Sequence, residues 1–174
     1  MDNFASRAHN GRHDIYCDGR VLGEHLPIPH RPRSTGKAFD DAGLGAQVTV
    51  NSAGTGAWHL GSDMDDRART VLESAGLDAS GHRARQFTEA DFALSDLILV
   101  ADEGHYRELT ALAPDAEAAS RVHLIRTFDP EAEHTTLFDP YYGELTDFEA
   151  TYDAVTATVP GVVEHVRGAL QVAS

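Results

Sequence analysis

The run Asp96-Leu97-Ile98-Leu99-Val100-Ala101 (DLILVA) decides the fold class. It is short and continuously apolar, without the alternation of a half-solvated strand. That pattern suits a strand buried on both faces, as in a parallel sheet covered by helices. Upstream, Gln47–Asn51 (QVTVN) reads as a second strand. Between the two, residues 63–77 (DMDDRARTVLESAGL) read as a helix. Acids crowd its start, where the helix dipole favours them, and Gly76 stands at its stop. Val71, Leu72 and Ala75 supply its apolar face. Downstream, residues 103–114 (EGHYRELTALAP) predict a helix stopped by Pro114, and residues 121–128 (RVHLIRTF) predict another strand. A loop rich in Asp and Pro follows, Asp129 to Gly143. Residues 146–173 predict a long final helix that Pro160 interrupts. Alternating strands and helices imply an α/β sandwich with a parallel sheet.

The 174 residues suffice for one domain with a real core. A net charge of −14 opposes binding to a nucleic-acid backbone or an anionic membrane by bulk attraction, so neither is expected as a partner. No apolar run reaches the length of a membrane span, and the first residues (MDNFASRAHNGRHD) lack the apolar stretch of a signal peptide. The one cysteine, Cys17, allows no intrachain disulfide, and a reducing, cytoplasmic location is expected. The ten histidines are scattered without metal-ligand spacing, so no metal is expected, and no organic cofactor is implied.

The first forty residues differ from the rest. Residues 12–45 (RHDIYCDGRVLGEHLPIPHRPRSTGKAFDDAGLG) carry Pro27, Pro29 and Pro32 and no clean period of 2 or 3.6. Residues 1–37 are therefore expected to be irregular, ahead of an α/β domain over 38–174. Residues 37–45 (KAFDDAGLG) fit the end of a helix, with Gly43 near its cap.

From Ala38 onward the chain resembles the low-molecular-weight protein tyrosine phosphatases. The pieces that carry the resemblance are AGLGAQVTVNSAGTGAWHLG (42–61), DDRARTVLESAGLDASGHRARQFTEADF (65–92), DLILVAD (96–102), RVHLIRTFDP (121–130) and DPYYG (139–143), in the family's order and spacing. The resemblance implies a four-stranded parallel sheet with helices on both faces. It also implies hydrolysis of phosphotyrosine, or of small aryl phosphates, through a phosphocysteine. That chemistry needs a loop C-x5-R followed by Ser or Thr, between the first strand and the first helix. Successive backbone N–H groups and a helix N-terminus cradle the anion, and the same field favours the thiolate. The arginine clamps two phosphate oxygens in a fork.

That loop is missing. Six residues after Cys17 stands Gly23, and Arg20 is too close to Cys17 in sequence to close such a loop. The first strand and the phosphate loop are therefore expected to be disrupted. A reading-frame change would account for this. Codons compatible with Val21–His30 (VLGEHLPIPH), read one base later, translate as C-L-G-N-I-C-R-S-P, the family's phosphate loop. The same shift lets residues 15–20 (IYCDGR) spell the apolar run F-I-V-T-V-V. The frame would return before Ala38–Phe39, where the resemblance resumes.

By the resemblance, Asp139 in DPYYG matches the general acid, which protonates the leaving phenol oxygen and later activates water. Asp129 competes for that role but sits at a strand end, where a turn is expected. Tyr141 and Tyr142 would wall one side of a phosphotyrosine ring and Trp58 the other. Ser52 would hydrogen-bond to the phosphate cradle, and His82 would brace it from behind. Arg83 and Arg85 read as a solvated basic turn. Two readings follow: a cysteine-dependent phosphatase that lacks its nucleophile as written, or a non-catalytic product. The latter is either a pseudophosphatase that binds a phosphoprotein or the poorly folded product of a frameshifted gene.

Overall fold

The computed structural model describes residues 12–18, 38–55, 63–77 and 85–172. Four parallel strands form one sheet: β1 (His13–Asp18), β2 (Val48–Ala53), β3 (Leu97–Val100) and β4 (Val122–Leu124), in the spatial order β2-β1-β3-β4. Among the described residues, residues 38–41 are helical, and the named helices are α1 (Asp66–Ser74), α2 (Asp91–Leu94), α3 (Glu103–Leu112), α4 (Ala116–Ser120) and α5 (Leu145–Val172).

Local chemistry explains where the helices start and stop. Asp65, Asp102 and Asp115 cap α1, α3 and α4, accepting from the backbone N–H of Arg67, His105 and Ala118 at 2.8, 2.9 and 2.7 Å. After α1 the chain turns through Gly76, whose φ of 74° is one that a β-carbon disfavours. Ala113 is extended, as the residue before a proline prefers to be, and α3 stops there.

β3 is the doubly buried strand expected of it, with all four residues in the core. β1 is a correction. His13–Asp18 lies in the segment expected to be irregular, with its strand disrupted, yet it is an interior strand with β2 on one side and β3 on the other. Its side chains alternate between two cores. Ile15 and Cys17 pack with Val48, Val50, Leu97, Leu99, Val163 and Val166; Tyr16 packs with Ala53, Phe87, Phe92, Ile98 and Val100. Its polar groups find partners. The Asp14 N–H donates to Asp96 Oδ2 at 2.9 Å, and the Asp96 N–H donates back to the Asp14 carbonyl at 2.7 Å. Buried His13 stands 3.4 Å from the Asp96 carboxylate, and the Tyr16 hydroxyl donates to the Ala53 carbonyl. Burying such groups is tolerable where they are bonded, as the Asp14 and Asp96 amides and the Tyr16 hydroxyl are, with His13 at ion-pair distance from Asp96. The remainder of the segment expected to be irregular, 1–11 and 19–37, lies outside the described residues.

Two other expectations change. The predicted strand over 121–128 ends at Leu124 and continues as a 3-10 turn, Ile125–Phe128, in which the Thr127 hydroxyl bonds the Leu124 carbonyl at 2.6 Å. The final helix runs through Pro160 without ending. Proline there costs one backbone bond, but buried Val162, Val163 and Val166 hold the following turn on the sheet. Gly161 permits that approach, because a β-carbon there would run into the Phe128 carbonyl oxygen.

Candidate active site

In a parallel α/β sheet, ligands bind outside the carboxyl ends of the strands. Here those ends are Asp18, Ala53, Val100 and Leu124. The loop from Asp129 to Gly143 is anchored at this edge, because the Leu137 N–H donates to the Ala101 carbonyl, just past β3, at 2.9 Å. A second anchor comes from α5, where the Thr151 hydroxyl donates to the Phe138 carbonyl at 3.3 Å.

Three of the residues singled out in the sequence sit together on this loop. Asp139 is exposed, and its Oδ1 accepts the Tyr141 N–H at 3.0 Å, an Asx turn that fixes the carboxylate against its own backbone. The rings of Tyr141 and Tyr142 meet edge to face, centroids 4.8 Å apart. Tyr142 is 94% exposed and neighbouring Phe138 is 71% exposed, so the loop presents an aromatic surface beside a carboxylate. Ser52 lies near the end of β2, paired in register with Cys17. Trp58, His82 and Arg83 lie outside the described residues.

The competing positions have structural employment. Asp129 pairs with Arg126 at 2.8 Å, and its Oδ1 accepts the Glu131 N–H at 2.9 Å, which makes it a turn residue. Arg85 bonds Asp91 at 2.8 Å and lies over the Tyr16 ring, 5.9 Å from its centroid. Cys17 is 2% exposed and sits within β1, in register with Ser52 on one side and Leu99 on the other. Its thiol is in the core, not on a loop at the strand ends.

Sequence reasoning missed Arg67. From the second position of α1, its Nη1 donates to the Gly143 carbonyl at 2.7 Å and its Nη2 to the Tyr141 carbonyl at 3.0 Å. Its bond to the capping Asp65 carboxylate raises its pKa above the ordinary arginine value. The available signal was a capping Asp followed two residues later by Arg; its partners, 74 and 76 residues away, carry no mark in the sequence. Among the described residues, no three His, Cys, Asp or Glu side chains gather as a metal site, and no helix is long and apolar enough to cross a membrane.

The chain is similar to known phosphatases. A family model described as low molecular weight phosphotyrosine protein phosphatase matches residues 35–172. A low molecular weight protein-tyrosine-phosphatase of Streptomyces coelicolor is 42% identical over 130 residues, covering 74% of this chain and 79% of its own length. Low molecular weight protein-tyrosine phosphatase A of Mycobacterium tuberculosis is 40% identical over 126 residues, covering 71% and 74%. Among solved structures, a protein tyrosine phosphatase of Entamoeba histolytica shares the fold with a TM-score of 0.79 at 23% identity, covering 90% of this chain and 97% of that one. A second, Primo-1, gives a TM-score of 0.76 at 28% identity, covering 88% and 97%. With a family model matched across most of its length and relatives at 40% identity and above, the chain belongs to the low molecular weight phosphotyrosine protein phosphatase family.

Proposed function

We propose that this chain keeps the leaving-group side of a phosphotyrosine phosphatase but, as written, does not turn substrate over. The family reaction breaks the phosphorus–oxygen ester bond in two steps. A thiolate attacks phosphorus while an aspartic acid gives its proton to the phenol oxygen; water then releases phosphate from the phosphocysteine. The acid half has its residues here: Asp139 is exposed and turned by its own Asx bond, with Tyr141 and Tyr142 adjacent as ring walls. The nucleophilic half does not. One observation carries this reading: the chain's one cysteine is buried in the middle of the sheet. A phosphate dianion cannot approach Cys17 without opening the core into which its side chain packs, against Val163 and Val166 of α5. Nucleophile and phosphate clamp act as a unit, so loss of either removes most of the rate.

The test is turnover of p-nitrophenyl phosphate and of phosphotyrosine by the purified full chain. We expect no hydrolysis above the buffer rate. Clear turnover that Asp139→Asn abolishes overturns the proposal. A second reading, a binding module for phosphotyrosine proteins, is favoured by the exposed aromatic surface of Phe138, Tyr141 and Tyr142. It predicts that a phosphotyrosine peptide shifts the NMR signals of those rings without being hydrolysed.

A further inference from the structure

The Arg67 guanidinium has donors in a plane and a flat apolar face; each of its three nitrogens donates and the face is stacked. Nε and Nη2 form a fork on the Asp65 carboxylate, 3.0 Å to Oδ1 and 2.8 Å to Oδ2. That carboxylate is itself held, because Oδ1 caps α1 through the Arg67 N–H at 2.8 Å. The opposite edge donates to the Gly143 and Tyr141 carbonyls at 2.7 and 3.0 Å. The face stacks on Phe148 of α5, 4.4 Å from the ring centroid, and Phe148 is fully buried. A planar fork held on three sides fixes direction as well as distance, which a lysine ammonium does not do.

The loop it grips has a shape of its own. The Tyr141 N–H bonds Asp139 Oδ1 at 3.0 Å, and the Gly143 N–H bonds the Pro140 carbonyl at 2.8 Å. These bonds close the turn but do not orient it against the body of the protein. Anchors to the body exist before the turn, at Leu137 and Phe138, and after it, where Asp147 Oδ2 accepts the Glu144 N–H at 2.7 Å. Arg67 grips the middle.

We propose that Arg67 is a positioning residue, which orients the Asp139–Gly143 turn from α1 and so sets where the Asp139 carboxylate and the Tyr141 ring stand. This rests on the reading of Asp139 as the acid position. The anchors just described come from α1, from Ala101 just past β3 and from α5.

The experiment compares the full chain with Arg67→Ala and Arg67→Lys by amide hydrogen exchange and by the ring-proton NMR signals of Tyr141 and Tyr142. In Arg67→Ala the Tyr141 and Gly143 amides should exchange about tenfold faster or more, while those of Leu97–Val100 stay protected. The two ring-signal sets should collapse towards free tyrosine positions. Arg67→Lys, which keeps the charge and one donor direction, should restore part of both. Unchanged loop exchange overturns the proposal. So does a rise shared equally by β3, since that reports general destabilisation. If Arg67→Ala does not fold, Arg67→Met keeps the stem on Phe148 without any donor and is held to the same two criteria. Aryl phosphate turnover by the unaltered chain would sink the inactive reading and leave the exchange result standing.

Discussion

β1 and β3 are both interior strands of one sheet, and they are held there by different physics. β3 is Leu-Ile-Leu-Val, buried throughout, and needs little more than its own apolarity. β1 is His-Asp-Ile-Tyr-Cys-Asp, and its polar groups are carried into the sheet by bonds to Asp96, Gln47 and Ala53. β1 also precedes residue 35, where the family match begins, whereas β3 lies well inside it. The interior place in the sheet is therefore filled by a stretch whose sequence does not match the family. What the position demands is a period-2 alternation that serves two cores, together with satisfied donors.

Core truncation puts the two strands on one scale. Ile15 and Leu99 are 0% and 1% exposed and line the same core. If β1 is as integral as β3, Ile15→Ala and Leu99→Ala should each cost about 2–5 kcal/mol in urea unfolding. A loss from Ile15→Ala under about 1 kcal/mol, beside a full loss from Leu99→Ala, would show that β1 is not part of the cooperative unit. Asp96 then tests the polar tie. Asp96→Ala removes the acceptor of the Asp14 N–H and the partner of His13, and should cost about 1–3 kcal/mol; Asp96→Asn, which keeps a carbonyl acceptor, should cost less. Equal costs would mean that the charge, not the acceptor, ties β1 to β3. The smallest effect is expected at Tyr16→Phe, which keeps the ring contacts with Phe87 and loses only the bond to Ala53, about 0.5–1.5 kcal/mol.

The same contrast explains what was legible. β3, α1 and α3 announce themselves through composition, capping Asp residues and stops that are local in sequence. β1 does not, because the group that ties down both His13 and Asp14 is Asp96, 82 residues beyond Asp14. The 3-10 turn after Leu124 and the continuation of α5 through Pro160 also depend on remote packing, on Ala154 and Phe128 respectively. In the site, Asp139, Tyr141 and Tyr142 were legible as one motif and share one loop. Arg67 reads as an ordinary surface arginine of α1 until the loop is folded beside it.

The position of Cys17 has a practical consequence. A single thiol sealed in the core on one face of the sheet is a clock for that core: a thiol-reactive reagent can reach it only when the layer packed over that face of β1 opens. Where opening and closing outpace labelling, the modification rate reports the free energy of that opening. Buried Cys17 thus gives the molecule a chemical readout of its own integrity.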